Sequence, residues 1–550
     1  MRKHRVGKAM PVTLASFLAV VGAVLLWPAS LMAESVPRQI AVPPPPMGWS
    51  SWNAFSNTVD SKVTMEQAKA MASNGMAKAG YKYINIDEGW WLGGRDADGN
   101  FIVDGKAWPA LAAGERAGDM GNIVRYIHGL GLKAGIYTDA GTDGCGTVGP
   151  DLGPGYPNEG SEGHYEQDFL QFAKWGFDYV KVDWCGGDKE KLDPAVQYAE
   201  IARAIARAEA ITGHRLYFSI CNWGNNSPWT WAPGVGGVMA DIWRTGGDIV
   251  APIVANTKNA DRKAEIKEVF REFDQAVHPE AQHTGFYNDP DMMVVGMPGL
   301  TEEQNRVHMS LWAVLGGPLL VGADLTRLSE EALATLKNPE VLAIDQDALG
   351  LQATKVAAPG TGLEVWSKRL WAGGSRAVLL LNRTAAPATI PVRWSELGLQ
   401  DSSPAKVRDV WAKKDLGALD SYSATVPAQD MVLLFVNGSE GPHAKYEMTR
   451  VADEHGAAVV RNQPVTFKGV GTHFTVAPIA ISYMNPDKTP RLAELRVNGR
   501  IATRIAFPPT GGSSGTVWIE SLLDREGAKN ALEFSVESDP GPVIESISLQ

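Results

Sequence analysis

Three apolar runs in this chain end in carboxylates, at positions where side chains could act on a substrate. They are Tyr83-Ile-Asn-Ile-Asp87-Glu88, Gly135-Ile-Tyr137-Thr-Asp139 and Tyr179-Val-Lys181-Val-Asp183. Side chains alternate along a β-strand, so Lys181 and Asp183 share one face while Val182 takes the other. The lysine's charge favours the ionised aspartate, the form a carboxylate nucleophile needs. A lone aspartate at a strand end most often caps the next helix or holds a turn. Several such ends in one chain point instead to a shared site.

For those ends to converge, the strands must run parallel and open onto one face. After a proline run, Pro43 to Pro46, read as a stiff lead-in, short apolar runs alternate with helical patterns as far as about residue 345. The runs are Tyr83–Asp87, Ala134–Asp139, Tyr179–Asp183, Leu216–Cys221 and Leu319–Asp324. Between them, Thr64-x-x-Gln67 predicts a capping box. Asp193-Pro194 predicts a helix start and Gly213 its end. A (β/α)8 TIM barrel fits this alternation, although a doubly wound open sheet would read similarly. From about residue 350 short strands with Gly, Pro and Asn turns replace the helices, which predicts an antiparallel β-sandwich. After a linker at Gly438–Pro442, strands resume to the C-terminus as a second sandwich. The expected organisation is a signal peptide at 1–33, a barrel at 34–348 and sandwiches at 349–437 and 443–550.

Composition narrows the function classes. With 550 residues, 44% hydrophobic and 21% charged, the chain is globular and exceeds one hydrophobic core. Its net charge of −11, with basic clustering confined to Arg2, Lys3, Arg5 and Lys8, argues against a nucleic-acid partner. Those basic residues precede the apolar run Phe17–Trp27 and small residues up to Ala33, the order of a cleaved secretory signal. A secreted or periplasmic enzyme with no membrane attachment is therefore expected. Export permits one disulfide among Cys145, Cys185 and Cys221, with each pairing open. No His-x-His or His-Glu-x-x-His spacing suggests a metal hydrolase.

Six ordered segments resemble the motifs of glycoside hydrolase family 27. They are Pro45-Pro-Met-Gly-Trp-Ser-Ser-Trp-Asn53, Ile84-Asn-Ile-Asp-Glu-Gly-Trp90, Gly135-Ile-Tyr-Thr-Asp-Ala-Gly141, Tyr179-Val-Lys-Val-Asp-Trp-Cys185, Ser219-Ile-Cys-Asn-Trp-Gly224 and Asn288-Asp-Pro-Asp-Met292. The resemblance spans roughly residues 43 to 437. It implies a retaining enzyme, mainly of the α-galactosidase or α-N-acetylgalactosaminidase kind, that uses no metal or cofactor. Carried over by position, it implies Asp183 as nucleophile and Asp248 as acid/base. It implies sugar contacts for Asp87, Lys181 and Arg244, pocket walls for Trp52 and Tyr137, and pocket positions for Asp291 and Met292. Cys145 and Cys185 match a family disulfide, leaving Cys221 unpaired. The substrate implied is a terminal α-galactosyl group on an oligo- or polysaccharide.

Two departures from the family pattern bear on specificity. Asp87-Glu88-Gly89 replaces the usual Asp-Asp-Cys, which removes one disulfide and gives the second sugar-binding acid an extra methylene. Glu88 is expected to project toward the 4- and 6-positions of the sugar, so β-L-arabinopyranosidase activity is the alternative reading. Asn222 stands where many members carry Glu, and an amide there can still serve the 2-hydroxyl. A non-catalytic sugar-binding protein is disfavoured because both Asp183 and Asp248 are present. The C-terminal stretch from Val497-Asn-Gly onward looks like a family 35 carbohydrate-binding module.

Overall fold

The computed structural model describes residues 38–148, 158, 160–233, 240–250, 262–447, 464–524, 529–536 and 540–550. The expected signal at 1–33 lies outside them. Eight parallel strands form one sheet: β1 Met47–Ser50, β2 Tyr83–Asn85, β3 Lys133–Asp139, β4 Tyr179–Asp183, β5 Tyr217–Cys221, β6 Ile242–Arg244, β7 Tyr287–Asp289 and β8 Leu319–Val321. Their order is β7-β6-β5-β4-β3-β2-β1-β8. Met293, just past β7, closes the ring: its amide donates to Leu320 O at 2.7 Å and its carbonyl accepts from Gly322 N at 2.9 Å. That closure excludes the open doubly wound sheet and makes the barrel.

The barrel interior is layered. Tyr83, Tyr179, Tyr217, Tyr287 and Ile242 plug the N-terminal end, with the rings of Tyr179 and Tyr217 stacked at 5.7 Å. Apolar packing there replaces a pore and leaves the opposite end for polar groups. In register above it, Tyr137 pairs with Lys181 and Lys181 with Ser219, and higher still Asp139 pairs with Asp183 and Asp183 with Cys221. Parallel pairing therefore carries the strand-end acids to one height.

Helices hold these strands from outside. The helix Pro194–Thr212 starts as expected, with Asp193 accepting from Ala195 N at 2.9 Å, and ends at left-handed Gly213. The helix Ser61–Ser73 does not start at Thr64. Asp60 caps it, accepting from Val63 N at 2.7 Å. Gln67 is buried within it and binds Asp324 and the amide of Leu325 instead. An earlier carboxylate acceptor thus took the capping role and freed Gln67 to tie the helix to the segment after β8.

Beyond the barrel, a six-stranded antiparallel sheet and the pair Ala388–Val392 and Tyr422–Val426 enclose a common core. The C-terminal segment forms a five-stranded and a four-stranded sheet around Ile479, Leu495, Ile519 and Phe534. The five-stranded sheet also takes in the chain's beginning, because Arg38–Gln39 pair in parallel with Gly515 and Thr516 and Ile40 joins that module's core. The proline lead-in is likewise held: Pro43 O accepts from the Tyr287 hydroxyl and Pro45 O from Gln346 Nε2 at 3.1 Å. Nor is Gly438–Pro442 a loose linker. Glu440 receives Arg369 Nη1 at 2.9 Å, Arg376 Nη2 at 2.8 Å and Gln550 Nε2 at 2.8 Å, knitting the two sandwiches together.

Although burial opposes its charge, hydrogen bonds from His443 and Arg376 and the charge of Arg369 hold Glu440 far below the usual carboxylate range. A depressed folded pKa stabilises the protein above the unfolded value of about 4.3 and loses that benefit as the pH falls below it. Glu440→Gln is therefore expected to cost about 1–2 kcal/mol at pH 7, the carboxylate being partly hydrated. Urea denaturation at pH 7 and pH 3 checks this, the gap from the parent protein narrowing at pH 3.

Candidate active site

Toward the C-terminal end of the strands lies a cavity lined by Ser50, Asn85, Asp87, Lys181, Ser219, Cys221, Arg244, Asp289, Asp291, Met292 and Leu320 among others. Asp87 lies two residues past β2, its amide bound to Ser51 Oγ at 2.9 Å. Its carboxylate accepts from Lys181 Nζ at 3.0 and 3.2 Å and from Ser50 Oγ at 3.3 Å. Lys181 also stands 3.5 Å from Asp183 Oδ2 and 5.1 Å from the centre of the Tyr137 ring. One ammonium therefore serves two buried carboxylates.

That sharing alters the electrostatics expected from sequence. Asp183 is buried, and Trp184 N donates to its Oδ1 at 3.0 Å. Burial raises its pKa, Lys181 lowers it, and the charges of Asp248 and Asp87 raise it again, leaving it above the ordinary value. Lys181 favours ionised Asp183, as expected from sequence, but burial and the neighbouring acids outweigh it, and the ammonium lies closer to Asp87. Burial opposes the charge of Lys181, but the surrounding groups, Asp87 foremost, outweigh it and raise its pKa well above the ordinary value.

Asp139 was legible as a strand-end acid, yet nothing in the sequence ties it to Asp183. In the structure it is fully buried, and its Oδ1 accepts from Gly141 N at 2.7 Å and Gly186 N at 3.1 Å. A carboxylate oxygen of Asp139, one of Asp183 and the sulfurs of Cys145 and Cys185 lie within 4.8 Å of one another. Those sulfurs form a disulfide with Cα atoms 5.0 Å apart, so the group is a bridged rim and not a thiolate metal centre. Burial, with Asp183 nearby, pushes Asp139 well up. Cys221 is free and buried, as the resemblance implied.

On the other side, Arg244 ends β6 and is buried. Its Nη1 lies 3.0 Å from Asp291 Oδ1, and its Nη2 reaches Asp248 Oδ1 at 3.3 Å and Gly246 O at 3.1 Å. The Asp248 side chain is 43% exposed, so it faces the solvent side of the rim. Burial pushes Asp291 up to about 7 although Arg244 draws it down.

Trp52 is buried and packs on Met292 and Leu320 of the cavity lining. Tyr137 is buried, its ring stacked on Trp91 at 5.8 Å. Asn222 turns its Nδ2 to Asn225 O at 2.6 Å, while its Oδ1 is buried without a hydrogen-bond partner among the described residues. Arg244 Nε and both amide atoms of Asn85 are in the same condition. Such groups cost free energy unless something entering the cavity pairs with them. Sequence reading missed Ser50, Asn85, Ser219 and Asp289 in the lining. The period-two rule pointed to three of them, since Asn85, Ser219 and Asp289 each stand two residues before an acid or the Cys221 thiol.

Glu88 has partners within the protein that the sequence did not announce. Its Oε1 accepts from Gly146 N at 2.6 Å and its Oε2 from the Tyr137 hydroxyl at 3.3 Å, so the longer side chain reaches the loop of the disulfide. Beside it, Gly89 has φ +112° and its backbone abuts Asn57, where a Cβ would stand 2.4 Å from Asn57 O. Close backbone packing occupies the place where the resemblance implies a cysteine. Glu88→Asp withdraws the carboxylate from Gly146 N and is expected to cost about 1–2 kcal/mol. Thermal denaturation measured beside the parent protein checks it.

A closed parallel barrel with buried acids and two cations around one polar cavity at its C-terminal face is the site of a glycoside hydrolase. Residues 44–347 match the family model described as alpha galactosidase A, 360–436 the alpha galactosidase C-terminal beta sandwich domain, and 464–547 the alpha-galactosidase CBM13 domain. The chain belongs to the α-galactosidase A family. The C-terminal module thus matches a different description from the family 35 resemblance. The α-galactosidase of Oryza sativa is 38% identical over 386 residues, covering 70% of this chain and 83% of that one. Alpha-galactosidase A of Cellvibrio japonicus is 38% identical over 428 residues, covering 76% and 97%. The crystal structure of α-galactosidase I from Mortierella vinacea superposes with a TM-score of 0.62 at 28% identity, covering 72% of this chain and 98% of that one.

Proposed function

We propose that this chain is a retaining α-galactosidase that removes terminal α-D-galactosyl groups from oligo- or polysaccharides, with Asp183 as nucleophile and Asp248 as acid/base. The observation that supports the assignment of roles is a pair of carboxylates each beside a cation: Asp183, at the end of β4, 3.5 Å from Lys181, and Asp248, four residues past β6, 3.3 Å from Arg244. In the first step Asp183 attacks the anomeric carbon while the bond to the leaving oxygen breaks and Asp248 passes its proton to that oxygen. In the second, Asp248 takes a proton from water, and the water oxygen displaces Asp183 from the same carbon. Two inversions return the original configuration.

Around the sugar, Asp87 and Lys181 supply a paired acceptor and donor for adjacent hydroxyls, and Arg244 Nε and Asn222 Oδ1 are buried groups still lacking partners. A site built from paired charges rejects an epimer, because the misplaced hydroxyl leaves a buried group unsatisfied. The basic and apolar N-terminal run supports secretion, and among the described residues no helix is long and apolar enough to cross a membrane.

Asp183→Gly is expected to abolish turnover of p-nitrophenyl α-D-galactoside, and added azide to restore it as the β-galactosyl azide. An α-azide, or activity without azide, would assign the attack to another group. The parent enzyme is expected to prefer that substrate over p-nitrophenyl β-L-arabinopyranoside in side-by-side assays.

Since Asp183 must be ionised to attack, kcat/KM falls as the pH drops through its raised pKa. Lys181 opposes that rise. Lys181→Met is therefore expected to move the acid limb to higher pH and to lower kcat/KM about 10- to 100-fold, the size of one charge-assisted hydrogen bond. A pH–rate profile decides it.

A further inference from the structure

Asp248 is an exposed carboxylate following two glycines, yet acid catalysis needs it held at one place. The means of holding it come from a different strand. Asp291, two residues past β7, is buried and has φ +81°, a left-handed conformation for a residue with a side chain. Four contacts maintain it. Asp291 N donates to Asp289 Oδ1 at 2.9 Å, and its carbonyl accepts from Trp312 Nε1 at 3.0 Å. Its Oδ1 pairs with Arg244 Nη1 at 3.0 Å, and its Oδ2 accepts from Ile249 N at 2.8 Å.

The last two contacts bracket Asp248. Ile249 is the next residue in the chain, so the Oδ2 bond fixes the peptide that carries Asp248. Arg244, held by Oδ1, turns its other amino group to Asp248 Oδ1 at 3.3 Å and to the carbonyls of Gly246 and Gly247 at 3.1 and 2.5 Å. Arg271 adds a hydrogen bond to Asp248 O at 2.6 Å from the outer side. One buried carboxylate thus steadies both the backbone and the side-chain partner of an exposed one.

We propose that Asp291 is a positioning residue for Asp248, setting where the proton is delivered. The proposal rests on the reading of Asp248 as acid/base. It separates Asp291 from the sugar contacts: loss of a binding group slows all substrates alike, whereas loss of proton placement slows chiefly those whose leaving group needs protonation.

The test compares kcat/KM for 2,4-dinitrophenyl α-galactoside, which departs without help, and methyl α-galactoside, which does not. Asp291→Asn keeps the shape and removes the charge. Asp291→Gly suits the left-handed backbone and removes both contacts. For each, the ratio of the two kcat/KM values is expected to rise tenfold or more over the parent enzyme. Asp248→Asn, measured alongside, is expected to raise it further. A ratio unchanged in Asp248→Asn would strike down the acid/base reading itself. A raised ratio in Asp248→Asn with equal losses on both substrates in the Asp291 variants would overturn the positioning role alone. Failure of both Asp291 variants to fold would also overturn it, since the residue would then serve the fold.

Discussion

Two cations, Arg244 buried and Lys181 partly buried, hold this site together against an excess of acid. Lys181 lies between Asp87 and Asp183, and Arg244 binds Asp291 and Asp248. Burying so many carboxylates would be ruinous if all were charged and unpaired, so each cation is shared between strands. The pKa values of Asp139, Asp183, Asp289 and Asp291 all rise for that reason, burial being the leading cause in each. Under the proposed function, a sugar hydroxyl entering the cavity would complete hydrogen bonds that Asn222 Oδ1 and Arg244 Nε leave unmade.

The rest of the molecule keeps that charged rim rigid. Tyrosines close the barrel's far end, so the strands cannot breathe there without exposing aromatic surface. The disulfide and Glu88 tie the loops after β2, β3 and β4 to one another. Farther off, Glu440 and Gln550 join the sandwich to the C-terminal module, and that module receives the Arg38–Gln39 strand. His283 Nε2, from the barrel, meets Thr503 Oγ1 of the module at 2.9 Å. The C-terminal module is bonded to the catalytic body at several points, as part of its framework.

Particular residues show what a linear reading can and cannot reach. The strand runs ending in Asp139, Asp183 and Cys221 were legible because alternation and apolar content are local. The short strands Met47–Ser50, Ile242–Arg244 and Tyr287–Asp289 were not, since three or four residues carry too little pattern to mark a strand. Thr64 and Gln67 had the letters of a capping box, but capping depends on which acceptor meets the first free amides, and Asp60 did so earlier. Trp52 packs on Met292 and Leu320, residues 240 or more positions away that no local spacing could bring to it.

By itself the sequence determined the chemistry available: acids at strand ends, a lysine two residues before one of them, cysteines able to bridge, and ordered motifs that resemble one hydrolase family. These are properties of residue type and short spacing. Only the tertiary structure decided how the charges are shared. It gave Lys181 chiefly to Asp87, turned Glu88 toward Gly146 N, and set Asp291 behind Asp248 across 43 positions of chain. Hydrogen bonding and charge act over a few ångströms of space whatever the distance along the chain, and barrel closure is what brings those positions within reach.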